Sequence, residues 1–399
     1  MSTSGWVAYV GPMPFPWGSA GSRRMYGVAS SLAAAGYRVV VGHGGHEPGR
    51  IELLHEDSGA VSHIGLGERP EQLKGRIRNI RHSLVRGYLT SGALTVRWLD
   101  SQSVRPTHVI AYGGFAPYMF RLLGWCRKNS IPLIADVVEW YDPSHRRGGY
   151  LNPFYLSAKF AFRFQYARCD GVIAISSFLE DYYSGRGCKV IRVPPTLNVE
   201  GLAQRVPRKR GANEPLTLVY AGSPGKKDLV GNVIKGLLLA DPEGRRTRLL
   251  AVGPAREQIL RLLGESGELP PNVVALGRLP QPEVAKILEK ADFSVLLRPR
   301  EKYAEAGFPT KFVESLAAGV PVIANITSDL GDYLHDGVEG LVCRDHSPEG
   351  FAEALSRAMA LSARELDEMS AAARKRAEDS FDFRNFAKPL AAFLEELRS

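Results

Sequence analysis

A pair of lysines, in GSPGKKD at 222–228, poses the first chemical question of this sequence. Lys226 and Lys227 follow a glycine-bearing turn and precede a run with helical period, so both stand near the positive end of a helix dipole, where cations are disfavoured unless an anion joins them. Phosphate suits such a place, because backbone N–H groups converge on it. A solvated lysine pair that tolerates the dipole is the simpler alternative. Further cations follow in FSVLLRPREKYAEAGFPTK (293–311), where Arg298, Arg300, Lys302 and Lys311 gather after an apolar strand-like run. Arginine meets diphosphate with a bidentate fork and lysine supplies a point charge. An exposed basic loop would look the same.

The acid Glu314 lies in AGFPTKFVESLAAGVPVIA (306–324). Proline at the start and Gly319 at the end bound a short helix there. A carboxylate near that helix start can accept two hydroxyl hydrogen bonds, as the vicinal hydroxyls of a ribose would offer. In DVVEWYDPSHRRGG (136–149), Asp136, Glu139, Asp142 and His145 follow another strand-like run, each able to orient a hydroxyl or move a proton. A glycine-rich turn in WGSAGSRR (17–24) places Gly18 where a backbone could approach a ligand, with Arg23 and Arg24 behind it. Turn geometry alone would also explain it.

These residues sit between strand-like runs that alternate with helix-period segments along the whole chain, the pattern of parallel sheets flanked by helices. WVAYVG, YRVVVG, HVIAYGG, IPLIADVV, DGVIAIS and KVIRVPP make the first set, and LTLVYAGS, TRLLAVGP, NVVALG, FSVLLRP and PVIAN the second. Two doubly wound α/β domains facing each other across a cleft are therefore expected, over 1–197 and 215–382. Proline-rich, charged 198–214 reads as the linker. The helix-period tail 383–399 either caps the second sheet or crosses back to the first.

With 399 residues, the chain exceeds what one core usually serves, in keeping with two domains. Cys126, Cys169, Cys188 and Cys343 are widely spaced and read as reduced core thiols. No run approaches a membrane span and the start lacks a secretory leader, so a cytoplasmic protein is expected. A net charge of +9 implies an acidic partner. LKGRIRNIRHSLVRGYL (73–89) has the pattern of a basic amphipathic helix, suited either to an anionic membrane surface or to ordinary packing, whereas NPFYLSAKFAFRFQYARC (152–169) reads as core-facing. Dispersed basic residues without a stacking platform or recognition helix argue against a nucleic-acid-binding protein.

In their order and spacing, AGFPTKFVESLAAGVPVIA, VYAGSPGKKD, DGVEGLVCRD, WGSAGSRR, DGVIAISSFLEDYY and VPPTLN resemble the retaining GT-B glycosyltransferases of the large family that includes sucrose synthase and many bacterial polysaccharide enzymes. The resemblance covers essentially the whole chain. It implies transfer of a sugar from a nucleotide-sugar donor to a saccharide or lipid-linked saccharide, with retained configuration and without a metal or other cofactor. It further implies that Glu314 holds the ribose and that Lys227, or its neighbour Lys226, neutralises the departing diphosphate. Gly307 and Phe308 would present backbone amides to the donor, beside Thr310, and Gly18 would approach the diphosphate from the first domain. The family commonly has a glutamate where Ala306 stands, with Glu305 one position away, and an arginine where Ser223 stands; Lys311 and Arg298 are the nearest substitutes. A sugar-nucleotide epimerase of the same architecture is the alternative within enzymes.

Overall fold

The computed structural model describes residues 5–16, 19–48, 51–53, 61–68, 88–145, 148–205, 214–225, 227–264 and 267–398. They form two compact units, Met1–Leu197 with Phe383–Ser399, and Asn198–Asp382.

The first unit is built on β1 (Trp6–Gly11), β2 (Arg38–Pro48), β3 (Ile51–Leu53), β4 (Val61–Gly65), β5 (His108–Tyr112), β6 (Leu133–Val137), β7 (Gly171–Ala174) and β8 (Val190–Arg192). Their order across the sheet is β3-β4-β2-β1-β5-β6-β7-β8, parallel except for β3, which pairs antiparallel with β4. Val7, Ala8, Tyr9 and Val10 are fully buried, as expected for a strand covered on both faces. Helix Ala20–Ala34 packs against it through Met25, Val28 and Leu32. Gly27 lets that helix approach closely, since a Cβ there would run into the Thr196 backbone. Helix Ala387–Arg398 adds Leu390, Phe393 and Leu394 to this same core, and His108 Nε2 is 2.8 Å from the Leu394 carbonyl oxygen.

The second unit carries β9 (Leu216–Ala221), β10 (Thr247–Val252), β11 (Val273–Gly277), β12 (Phe293–Leu296), β13 (Val322–Asn325) and β14 (Gly340–Cys343), in the parallel order β11-β10-β9-β12-β13-β14. Helices Val230–Ala240 and Pro348–Ala360 bury Val233, Ile234, Leu237, Phe351 and Leu355 with Leu218, Leu249 and Phe293 in one core. Both sheets reverse strand order beside their first strand, at β1/β5 and at β9/β12. Such switch points open a crevice beyond the carboxyl ends of the strands, the usual ligand position in open α/β sheets.

Two expectations change here. Of the expected linker, 198–205 is built into the second unit. Val199 is fully buried and its N–H donates to Asp382, while Arg205, 3% exposed, lies 3.5 Å from Asp292 and 3.1 Å from Asp367. A buried guanidinium needs partners, and these carboxylates tie the segment down. The expected core-facing run 152–169 buries only one side. After helix Pro153–Phe160 comes a π-helical turn, Ala161–Gln165, with Tyr155, Ala158, Phe162 and Tyr166 inward and Leu156, Phe160 and Phe164 outward. Of the expected amphipathic helix over 73–89, all but Tyr88 and Leu89 lies outside the described residues.

Candidate active site

The chemistry-bearing residues of the second unit converge at the β9/β12 switch point. After β9, the turn from Gly222 to Leu229 is closed by a bridge between Gly225 and Asp228, and the Leu229 N–H donates to the Leu297 carbonyl at 2.9 Å. Lys227 therefore occupies a turn three residues ahead of helix Val230–Ala240, not the helix start itself. Its side chain is half-buried, and Ser223 is exposed on the same turn.

Lys311, in the first turn of helix Thr310–Ala317, reaches across to this turn. Its ammonium pairs with Asp228, lies 3.4 Å from Tyr220 Oη, and sits 4.6 Å from the Tyr220 ring centre. The Tyr220 hydroxyl donates to the same Asp228 carboxylate at 3.2 Å. Gly222 lies directly under this side chain, where a Cβ would displace the Lys311 ammonium end. Burial lowers the Lys311 pKa, Asp228 pulls it back up, and nearby Arg298 adds to the lowering.

Arg298, at the end of the β12 run, is 4% exposed. Asn325, the last residue of β13, holds its backbone from both sides: the Arg298 N–H donates to Asn325 Oδ1, and Asn325 Nδ2 donates to the Arg298 carbonyl, each at 2.9 Å. Among the described residues, the guanidinium makes one long hydrogen bond, 3.4 Å, to the Gly307 carbonyl. Burial lowers its pKa, opposed by the charges of Asp228 and Glu305. A guanidinium has five N–H donors, so this arrangement leaves capacity for an anion.

The other expected residues fall around this core. Glu314 lies three residues beyond Lys311, hence on the same helical face, and is half-buried. Thr310 begins that helix, with Pro309 at its N-cap, and Gly319 ends the turn after it at φ +68°. Gly307 and Phe308 are buried in the loop before it, the Phe308 ring packing 5.7 Å from Tyr333 and 5.8 Å from Phe381. Glu305 accepts the Ser328 N–H at 2.8 Å, which commits one carboxylate oxygen to holding the turn after β13. Lys226 and Gly18 lie outside the described residues. Asp228, Tyr220 and Asn325 were not singled out by sequence. Their only advance signal is a polar group terminating or following an apolar strand.

In the first unit the arrangement differs from expectation at one residue. Asp136, read as able to orient a hydroxyl or move a proton, is 1% exposed. Arg24 Nη2 donates to its Oδ1 at 2.9 Å, Arg24 Nε approaches both oxygens at 3.2 Å, and the Tyr9 hydroxyl donates to Oδ2. Arg24 also donates to the Val193 and Pro194 carbonyls, at 2.6 and 2.8 Å. With both oxygens committed, Asp136 anchors the sheet and does not orient an acceptor. Glu139 is half-buried, and its charge contributes to raising the Tyr112 phenol far above the usual range, after burial and Asp136. Asp142 accepts the Ser144 N–H at 2.8 Å, capping the short turn Pro143–His145; the His145 side chain is outside the described residues.

Residues 198–376 match the family described as "Glycosyl transferases group 1". The chain is 34% identical over 163 residues to WcaL of Escherichia coli K12, named for colanic acid biosynthesis, covering 38% of this chain and 37% of that protein. It is 24% identical over 241 residues to the amylovoran biosynthesis glycosyltransferase AmsK of Erwinia amylovora, covering 58% of each. The chain thus spans about 37 to 58% of the length of these relatives. Among solved structures, Anabaena Alr3699/HepE in complex with UDP and glucose superposes with a TM-score of 0.64 at 14% identity, over 98% of this chain and 100% of that one, which shows a shared two-domain GT-B fold.

Proposed function

We propose that this chain, whose residues 198–376 match the group 1 glycosyltransferases, transfers a sugar from a nucleotide-sugar donor to a saccharide or lipid-linked saccharide. The products would serve bacterial surface polysaccharide assembly, as the names of WcaL and AmsK suggest, with the enzyme at the cytoplasmic face of the membrane. One observation carries the reading: Lys311 and Arg298 converge at the β9/β12 switch point, with Glu314 on the Lys311 helix face. Such a set provides cations for a diphosphate and a carboxylate for a ribose. UDP and glucose are named in the HepE structure, and a uridine donor is a natural first choice.

In this reading the anomeric carbon–oxygen bond to the diphosphate breaks while the acceptor oxygen attacks from the same face, so configuration is retained. Negative charge gathers on the leaving diphosphate. Lys311, Arg298 and Lys227 stabilise it, with Ser223, Gly307, Thr310 and the Phe308 amide shaping the donor site; no metal is needed for that neutralisation. Preplaced charges of this kind need no reorganisation at the moment of reaction. Retention is tested by proton NMR of freshly formed product: the anomeric coupling must match the donor's, and inversion would refute it.

Glu314→Gln keeps the size of the side chain and removes its charge. Donor affinity is expected to fall roughly ten- to a hundredfold, the equivalent of about 1.5–3 kcal/mol for hydrogen bonds to a carboxylate. Calorimetric titration reads this directly, and an unchanged dissociation constant would remove Glu314 from the ribose.

A further inference from the structure

The first unit leaves an apolar ridge uncovered. Leu151 is 85% exposed and Tyr150 68%, while Leu156, Phe160 and Phe164 are each 50% exposed. The Phe160 and Phe164 rings stand 5.3 Å apart, so two large side chains stack outside the core. Single exposed leucines are ordinary, but a run of aromatic and aliphatic side chains along one segment marks an interaction surface.

Its charges have one sign. Lys159, Arg163 and Arg168 are the exposed charged residues of helix Pro153–Phe160 and the two turns that continue it, and no aspartate or glutamate occurs from Pro143 to Cys169. The cations lie along the ring faces. Lys159 Nζ is 5.8 Å from the Tyr150 ring centre and 5.5 Å from that of Tyr155, and the Arg163 guanidinium is 5.9 Å from Phe164. Stems flat on aromatics with charged heads at the margin are how such side chains serve an interface that is apolar on one side and wet on the other.

We infer that residues 150–168 dock this chain on an anionic lipid bilayer, with Leu151, Leu156, Phe160 and Phe164 entering the headgroup–acyl boundary and Lys159, Arg163 and Arg168 meeting acidic headgroups. The combination of an apolar face with basic, carboxylate-free flanks is that of an interfacial helix. Self-pairing of the same ridge is disfavoured, because a two-fold contact would set these cations against their own copies. Among the described residues no helix is long and apolar enough to cross a membrane, and attachment here is to the surface. The inference deepens the proposed work at a membrane, and its test uses no donor or acceptor, so the two can fail separately.

The test is flotation of the full chain with vesicles of phosphatidylcholine, with and without phosphatidylglycerol to supply a negative surface potential. The expected result is salt-sensitive binding to the anionic vesicles only. Lys159→Glu/Arg163→Glu should weaken it roughly 20-fold or more, and Phe160→Ser/Phe164→Ser should weaken it at least about tenfold. All four positions are exposed, and circular dichroism of both variants should match the parent. Absence of flotation by the parent, or equal flotation by parent and variants, would overturn the inference. So would a dimer that disappears in the Phe160→Ser/Phe164→Ser variant while the parent ignores lipid, since the ridge would then serve a second copy.

Discussion

Lys227→Ala is expected to lower turnover by about two to three orders of magnitude while leaving the melting midpoint nearly unchanged. Loss of one preplaced electrostatic contact to a developing charge typically raises a barrier by about 2.7–4 kcal/mol. Lys227 stands in the turn between β9 and helix Val230–Ala240, close to the positive end of that helix, so its removal should cost the fold little. Lys311→Ala should lose turnover to a similar extent and differ in stability. Asp228 would be left half-buried without its ammonium partner, and melting should fall by several degrees. Initial rates and melting curves on the two variants separate the roles. Parent-like turnover in both would show that the lysines do not handle the diphosphate.

The largest effect on stability should come from the first unit. Arg24→Ala strips the buried Asp136 of its counter-charge and leaves the Val193 and Pro194 carbonyls without their donor. Breaking one side of a buried pair costs about 3–5 kcal/mol. At about 2–4 °C per kcal/mol for domains of this size, the melting midpoint of that unit should drop by roughly 6–20 °C. Replacing both members, Arg24→Met with Asp136→Leu, should restore a good part of the loss, because no charge is then stranded. A midpoint within about 2 °C of the parent for Arg24→Ala would contradict the role given to this pair.

The strands were largely legible because each is a short apolar run whose burial on both faces demands it, as in HVIAYGG for β5 and PVIAN for β13. Helix Thr310–Ala317 was legible from its proline and glycine punctuation. What escaped depends on partners distant in the chain. Asp136 reads as a free acid at a strand end until Arg24, 112 residues away, is brought beside it. Asp228 reads as a turn residue until Lys311 folds over Tyr220 to meet it. The aromatic run 152–169 shows its periodicity in sequence, but which face the sheet covers is decided by packing. β3, three residues long and antiparallel, offers too few residues for a periodic signal.

Ligand-dependent melting of the parent chain against UDP-, GDP-, ADP- and TDP-sugars asks whether the second unit is a nucleotide-sugar site at all. A donor at about a hundred times its dissociation constant stabilises the folded state by about 2.7 kcal/mol, which for domains of this size is a rise of roughly 5–10 °C. Such a rise is expected with at least one base, reduced in Glu314→Gln. No rise with any of the four, at concentrations where the free sugars are also inert, would contradict it.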